Sequence, residues 1–443
     1  MVIKSPLNTT SPRNHTMTLT LTARAVALAF CTLPMLAHAS EADLMQRLDK
    51  LAAELDLVKA ELAATRKQSD AVEARQLAEP APATASQTSM SSAPQTVLSG
   101  YGEVNYNRPT KDASAAQTDV RRAVIGIQHR FDAKTKLVTE FEWEHAVTSA
   151  TDNGEAAVEQ LYIEREFDNG LRAKAGLFLI PAGLLNTNHE PTAYYGVERN
   201  FVETAIIPST WREAGVGLSS TLDNGLTWDL GLTTGFDLGK WDAAAAEGRE
   251  SPLASIHQEG QLAKSRNLGG HAALNWRGVP GLLLGGSLFS GKVAQGAANF
   301  AAPNSRVTLW DVHARYTPGK WDLVGLYARG TISNTAALNA TFSGNPAPVP
   351  SAFDGWYLQA AYQAWKSQDY VFAPFIRYEQ FNTARSYTGQ AQGVAVAAGP
   401  TEKVATTGVN LRVGEGVVLK ADYQKFQTDP TRDRFNLGMG YAF

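Results

Sequence analysis

From residue 97 to the end, the chain alternates apolar and polar residues in stretches of about ten between turn signals, and no segment there keeps a helical period. Near the C-terminus, Phe435, Leu437, Met439, Tyr441 and Phe443 share one face, while Asn436, Gly438, Gly440 and Ala442 share the other. The same parity sets Leu226, Trp228, Leu230 and Leu232 against Thr227, Asp229, Gly231 and Thr233. It also sets Leu171, Ala173, Ala175 and Leu177 against Arg172, Lys174 and Gly176, and Val417, Leu419, Ala421 and Tyr423 against Lys420, Asp422 and Gln424. Each such strand has one greasy face and one polar or small face.

Short turns fall at 132–134, 168–170, 223–225, 279–281, 317–320, 366–369 and 414–416, most with the Gly or Pro that tight hairpins need. Longer connections alternate with them at 109–117, 148–155, 182–210, 237–264, 294–304, 335–353, 384–401 and 428–433. Seven short turns and eight long loops imply sixteen antiparallel strands. An even-stranded meander with short turns on one side and both ends on that side is the plan of an all-β transmembrane barrel of the Gram-negative outer membrane. A soluble propeller would need a blade repeat of about 40 residues, which the sequence lacks. The last strand also closes on an aromatic, Phe443, as barrel-assembly signals do. Sixteen strands are expected to enclose an aqueous channel and not a filled core.

Composition fits this plan once the alternation is seen. A mean hydropathy of −0.22 with 44% hydrophobic residues reads as a soluble protein only because outward and inward positions are averaged together. Lys and Arg number 40 against 43 acids, with no basic block, so nucleic acid is excluded as a partner. The longest apolar run, 25–36, is too short to span a bilayer as a helix.

That run belongs to a secretory signal over residues 1–39. Lys4, Arg13 and Arg24 precede it without an acid, and Ala37, His38 and Ala39 supply the cleavage site before Ser40. Met17 is an alternative start, and Cys31, the single cysteine, lies inside the signal; the bulky Phe30 before it disfavours a lipoprotein reading. Removing three bases leaves 37 against 43 acids. Residues 40–78 then read as a periplasmic coiled-coil helix, with Leu44, Leu48, Leu51, Leu55, Val58 and Leu62 on a heptad seam. Glu54 with Lys59 and Glu61 with Arg66 suit interchain pairing, and about 32 Å of such helix would reinforce a trimer formed elsewhere. One amphipathic helix packed on its own domain is the alternative. Residues 79–96, rich in Pro, Ala, Ser and Thr, read as a flexible linker to the barrel at 97–443.

Several strand segments resemble the phosphate-selective porin O/P family of trimeric outer-membrane porins. Arg121, Arg122 and Gly126 followed by Phe131 and Asp132 look like its early hairpin. Gly176, Phe178, Pro181 and Gly183 resemble its segment before the constriction loop, and Glu198 and Arg199, then Arg212, Glu213, Gly215 and Gly217, resemble the strand that leaves it. Pro374, Arg377 and Glu379 match another recurring strand. The chain departs from the family at Leu179 and Ile180, where a lysine is common, and at Ala182, where a phenylalanine is usual. The resemblance implies the porin fold, a homotrimer and small hydrophilic anions such as phosphate as permeants.

Parity assigns Arg122, Arg130, Lys136, Arg172, Lys174, Arg277, Arg315, Arg329, Arg377, Arg412, Lys420 and Arg434 to the lumen. It assigns Glu140, Glu142, Glu144, Glu164, Glu166, Glu213, Asp229, Asp311, Glu379 and Asp422 there as well, so the expected lumen is mixed. The acids crowd onto neighbouring strands, which gives either a transverse field or mutual neutralisation with Arg122, Arg130 and Lys136. The long aromatic segment 182–210, with His189, Glu190, Tyr194, Tyr195, Arg199, Phe201 and Trp211 at its edge, is expected to fold into the barrel and carry Arg199 toward the solute. Paired glutamates on one strand need no glycosidase chemistry, and His189 beside Glu190 lacks a further ligand at metal spacing. No nucleophile elbow, P-loop or nucleotide fingerprint occurs, so the expectation is a passive channel without enzymatic activity, cofactor or metal. The alternative is a barrel-anchored surface protein, an adhesin or outer-membrane enzyme, acting through its long loops.

Overall fold

The structure, a computed structural model, describes residues 95–245, 247–342, 345–389 and 398–443. The signal at 1–39, the helix at 40–78 and nearly all of the linker at 79–96 lie outside the described residues.

The strands are β1 (Gln95–Pro109), β2 (Gln117–Arg130), β3 (Thr135–Glu144), β4 (Ala156–Glu166), β5 (Arg172–Leu179), β6 (Arg212–Thr221), β7 (Leu226–Thr233), β8 (Gly269–Val279) and β9 (Leu282–Lys292). They continue as β10 (Arg306–Tyr316), β11 (Trp321–Ser333), β12 (Pro350–Tyr362), β13 (Trp365–Lys366), β14 (Tyr370–Tyr387), β15 (Glu402–Val413), β16 (Val417–Phe426) and β17 (Arg434–Ala442). The two-residue β13 only prolongs β12 beside β14, so sixteen strands make the wall. Every pairing is antiparallel, and the sheet closes because β1 pairs with both β2 and β17, Tyr101 lying opposite Val124 on one side and Ala442 on the other. The first strand begins two residues before the expected position 97.

All seven short turns form where the turn residues place them. At Asp168 to Gly170 and Asp223 to Gly225, the glycines adopt φ of 75° and 80°, a region that a Cβ disfavours. Outward positions carry Leu161, Leu232, Val312, Leu358 and Ile376, all exposed. Aromatic pairs flank this band: Trp321 with Tyr362 and Trp365 with Tyr370 on the short-turn side, Trp310 with Tyr327 and Trp356 with Tyr378 on the loop side. Apolar bands with aromatic girdles are how barrels match a bilayer.

The interior corrects the expectation of an unfilled lumen. On the loop-side parts of β9 to β11 the inward face is itself apolar, with Phe289, Val307, Leu309, Leu326, Ala328 and Ile332 buried. They pack against Ile206, Ile207, Trp211, Phe236, Leu238, Leu253 and Ile256 from the loops before β6 and β8. Trp211 stacks on Phe236 at 5.1 Å and meets Phe289 edge-on at 4.8 Å. Part of the barrel therefore holds a hydrophobic core, which gives the loops a fixed seat.

Candidate functional site

The segment 180–211 folds into the barrel and is fastened to the wall on nearly every side. Asp311 on β10 accepts the backbone N–H of Gly183 at 3.0 Å, Glu379 on β14 accepts that of Phe201 at 2.6 Å, and Asp422 on β16 accepts that of Val197 at 2.6 Å. Tyr194 donates its hydroxyl to Glu103 on β1, Tyr195 to Asp322 on β11, and Tyr357 on β12 donates to Glu203 of the loop. Burial first, then the Glu103 and Asp322 carboxylates, push the Tyr194 and Tyr195 phenols well above their ordinary range, so both stay donors. Within the loop, Glu203 also accepts the N–H groups of Leu184 and Leu185, both at 2.7 Å. One helical turn, Val202–Ile206, places that carboxylate between loop and wall. Room for the loop comes from the small face of β17: a Cβ on Gly440 would sit 2.4 Å from Pro191, and one on Gly438 would sit 3.0 Å from Val197.

Of the expected basic lumen residues, Arg122, Arg377 and Lys420 are inward but buried beneath the loop. Arg122 pairs with Glu103 at 2.8 Å, Arg377 with Glu379 at 3.0 Å, and the Lys420 ammonium lies 3.6 Å from the Tyr194 ring centre. Arg199 is carried inside as expected, yet its guanidinium turns back to the loop, bonding Ser209, Thr210 and the His189 carbonyl. Lys174 meets Asp229 at 3.2 Å and Arg315 meets Asp322 at 2.7 Å; Arg172, Arg277, Arg412 and Arg434 keep the inward parity and partial exposure, and Arg130 keeps that parity but is exposed. Arg329 is a correction. It points outward, because its neighbours Ala328 and Gly330 are the inward residues of β11, and strictly alternating positions cannot share a face.

Among the acids, Glu140 and Glu142 are inward and buried, Glu144 and Glu164 are partly exposed, and Glu166 is exposed at the short-turn rim. Glu164 pairs with Lys136 at 3.2 Å. Glu213 is wholly buried, accepting from the Trp211 indole at 3.3 Å and from the Thr234 hydroxyl. Glu159 escapes the alternation rule. Glu140 pairs with Gln160 while Phe141 pairs with Val158, so Glu159 is a bulge residue pushed inward, where Tyr101 donates to it at 2.9 Å and His189 lies 3.7 Å away. The sequence signal for it was two successive polar residues, Glu159 and Gln160, between Val158 and Leu161. The tethers Glu103 and Asp322 keep the inward parity of β1 and β11, whereas the hub Glu203 lies in the loop, where alternation gives no signal.

Beside the loop, a polar cavity of about 230 Å³ remains against β2 to β7, bordered by Glu140, Gln160, Glu164, Arg172, Lys174 and Asp229, with Thr187, His189 and Glu190 from the loop. Among the described residues, no group of three or more His, Cys, Asp or Glu side chains is placed to hold a metal.

No protein-family model matches the chain. An uncharacterised protein of Aquifex aeolicus is 29% identical over 344 residues, 74% of each chain. Among solved structures, OmpF of Salmonella typhi in complex with daunomycin superposes with a TM-score of 0.55 at 13% identity, covering 79% of this chain and 97% of its own. The outer-membrane channel DcaP of Acinetobacter baumannii gives 0.50 at 12% identity, covering 81% and 100%. At these identities the likeness is one of fold, and that fold is the porin-like barrel.

Proposed function

We propose that this chain is a passive outer-membrane channel for small hydrophilic solutes, assembled as a homotrimer and without enzymatic activity, and that anions including phosphate are its preferred permeants. Support for a channel comes from a closed sixteen-strand wall with an apolar outer face, a charged inner face and a loop fastened across the lumen. The observation that carries anion preference is which inward charges stay accessible. Asp311, Glu379 and Asp422 are engaged by loop N–H groups, and Glu213 is sealed by Trp211 and Thr234. Of the charges that parity assigned to the lumen, those partly or fully exposed are Arg130, Lys136, Arg172, Lys174, Arg277, Arg315, Arg412 and Arg434, against Glu144, Glu164, Glu166 and Asp229; Asp119 and Glu402 add two further partly exposed acids on the inner wall. A surplus of accessible bases attracts anions by its field. The resemblance of the strand motifs to the phosphate-selective family points the same way.

One observation favours a second reading, cation preference: the cavity beside the loop is bordered by Glu140, Glu164, Glu190 and Asp229 but only by Arg172 and Lys174 among bases. Reversal potentials in a planar bilayer under a potassium chloride gradient decide between them. A potential toward the chloride equilibrium value supports the anion channel; one toward potassium overturns it. Absence of any conductance, with no swelling of liposomes in small sugars, overturns the channel itself in favour of a surface protein acting through its loops.

A further inference from the structure

On the outer wall, one row of cross-strand partners runs from Trp310 through Arg329 and Asp354 to Asn382. Arg329 and Asp354 face away from the lumen, since Ala328 and Phe353 beside them are fully buried inside, while Val312 and Leu358 on the outward parity are exposed. Asp354 is nevertheless only 5% exposed. Arg329 at 3.2 Å and Arg385 at 2.5 Å close on its carboxylate, and the Tyr327 hydroxyl donates to it at 3.3 Å. Two guanidinium groups on one carboxylate leave a net positive cluster, and their side chains stay 38% and 44% exposed. Lys403 and Lys425 are exposed on the same outer face, where Asp354 is the single acid among the described residues of β10 to β16.

Toward the short-turn side of this cluster, the wall is hollowed into an apolar groove of about 800 Å³, lined by Ala314, Leu323, Gly325, Leu358, Ala360 and Ile376. Lys425 stands at its loop-side end. The Trp310 and Tyr327 pair and the Trp356 and Tyr378 pair mark the membrane interface here. Charge on a lipid-facing wall costs little at that depth and much deeper in the bilayer. A cationic cluster above an apolar groove is complementary to one kind of molecule, an acyl lipid with an anionic headgroup.

We infer that this face binds an outer-leaflet lipid whose phosphate sits on Arg329 and Arg385 and whose acyl chain lies in the groove below. The planar guanidinium fork matches phosphate oxygens, and the carboxylate of Asp354 holds both forks in place between lipid encounters. Loop-side placement in the outer leaflet rests on the proposed outer-membrane function. A second copy of the chain covering the groove is the competing occupant.

The test is retention of diphosphoryl lipid A by the purified full chain in phosphatidylcholine nanodiscs, counted by native mass spectrometry. Retention is expected for the wild type, reduced about tenfold in Arg385→Gln and further in Arg329→Gln/Arg385→Gln, as loss of charge-assisted hydrogen bonds dictates. Heat-modifiable gel migration checks that each variant still forms a barrel, and Arg385→Gln, altered at an exposed strand end, keeps the test open if the double variant does not. Undiminished retention in folded Arg385→Gln overturns the inference, as does cross-linking between copies through Leu358→Cys in a Cys31→Ser background. A wild-type channel that conducts but retains no lipid A overturns the lipid site alone, whereas failure to conduct at all bears on the proposed function.

Discussion

The Asp422 carboxylate accepts the backbone N–H of Val197 at 2.6 Å across 225 residues of sequence, so a charge on the pore wall serves to hold the loop that crosses the pore. Its other oxygen is taken by the Asn436 amide at 2.6 Å. Asp311 and Glu379 repeat the device on other strands. The consequences can be measured.

Replacing Asp422 with alanine removes a charged acceptor from a buried N–H, a loss of about 2 kcal/mol in loop attachment. The loop is then expected to loosen, raising single-channel conductance and current noise while the barrel still shows heat-modifiable migration. Unchanged conductance in a folded barrel would show that Asp422 does not hold the constriction.

Gly440 tests the same seat by steric means. An added Cβ would lie 2.4 Å from Pro191 and 3.2 Å from Val418. Gly440→Ala is expected to lower stability by about 1–3 kcal/mol through overpacking, read as a shift in the urea unfolding midpoint. An unchanged midpoint together with wild-type conductance would mean that the loop yields freely at Pro191.

Selectivity is expected to follow the accessible bases. Arg172 and Arg412 are partly exposed on the inner wall and form no ion pair among the described residues. The charge reversals Arg172→Glu and Arg412→Glu together should move the reversal potential toward potassium, whereas Lys420→Gln, buried over Tyr194, should alter loop stability more than ion preference. The opposite ranking would place the governing field at the loop.

Acid should loosen the loop before β8, whose apolar residues pack inside the barrel. Burial acts to raise the Glu259 carboxyl, but His257 and the Arg212 guanidinium, 3.0 Å away, outweigh it and hold the group below its ordinary 4.5. A depressed carboxylate stabilises the fold above its unfolded-state value and loses that contribution as pH falls through the folded-state value. Current noise should therefore rise below about pH 4.5 in the wild type, and Glu259→Gln should show that noise already at neutral pH. A wild-type trace unchanged at acid pH would count against the Arg212 tether.

Much of this architecture was legible in the sequence. Period-two alternation and the placement of Gly, Pro, Asp and Asn specified the sixteen strands and the seven short turns, and the length and aromatic content of 182–210 pointed to its entry into the barrel. Parity failed where a local irregularity intervened. The bulge at Glu159 adds one residue to β4 and turns that carboxylate inward, beyond any strict count of two. Arg329 failed for another reason: it shares the outward parity of Leu323 and Tyr327, an unexpected place for an arginine, and Asp354 on the neighbouring strand gives it a partner there.

Away from the bulge at Glu159, the sequence by itself determined which residues share a face, because side-chain direction in a strand is a local property of the backbone. Only the tertiary structure decided which of those inward charges remain charges facing water. That depends on where a loop some thirty residues long comes to rest, and its seat is fixed by contacts with strands far away in the chain: Glu203 with Tyr357, Val197 with Asp422, Trp211 with Phe289. A carboxylate such as Asp422 reads the same in sequence whether it meets a permeating ion or a backbone N–H, and long-range packing alone selects between the two.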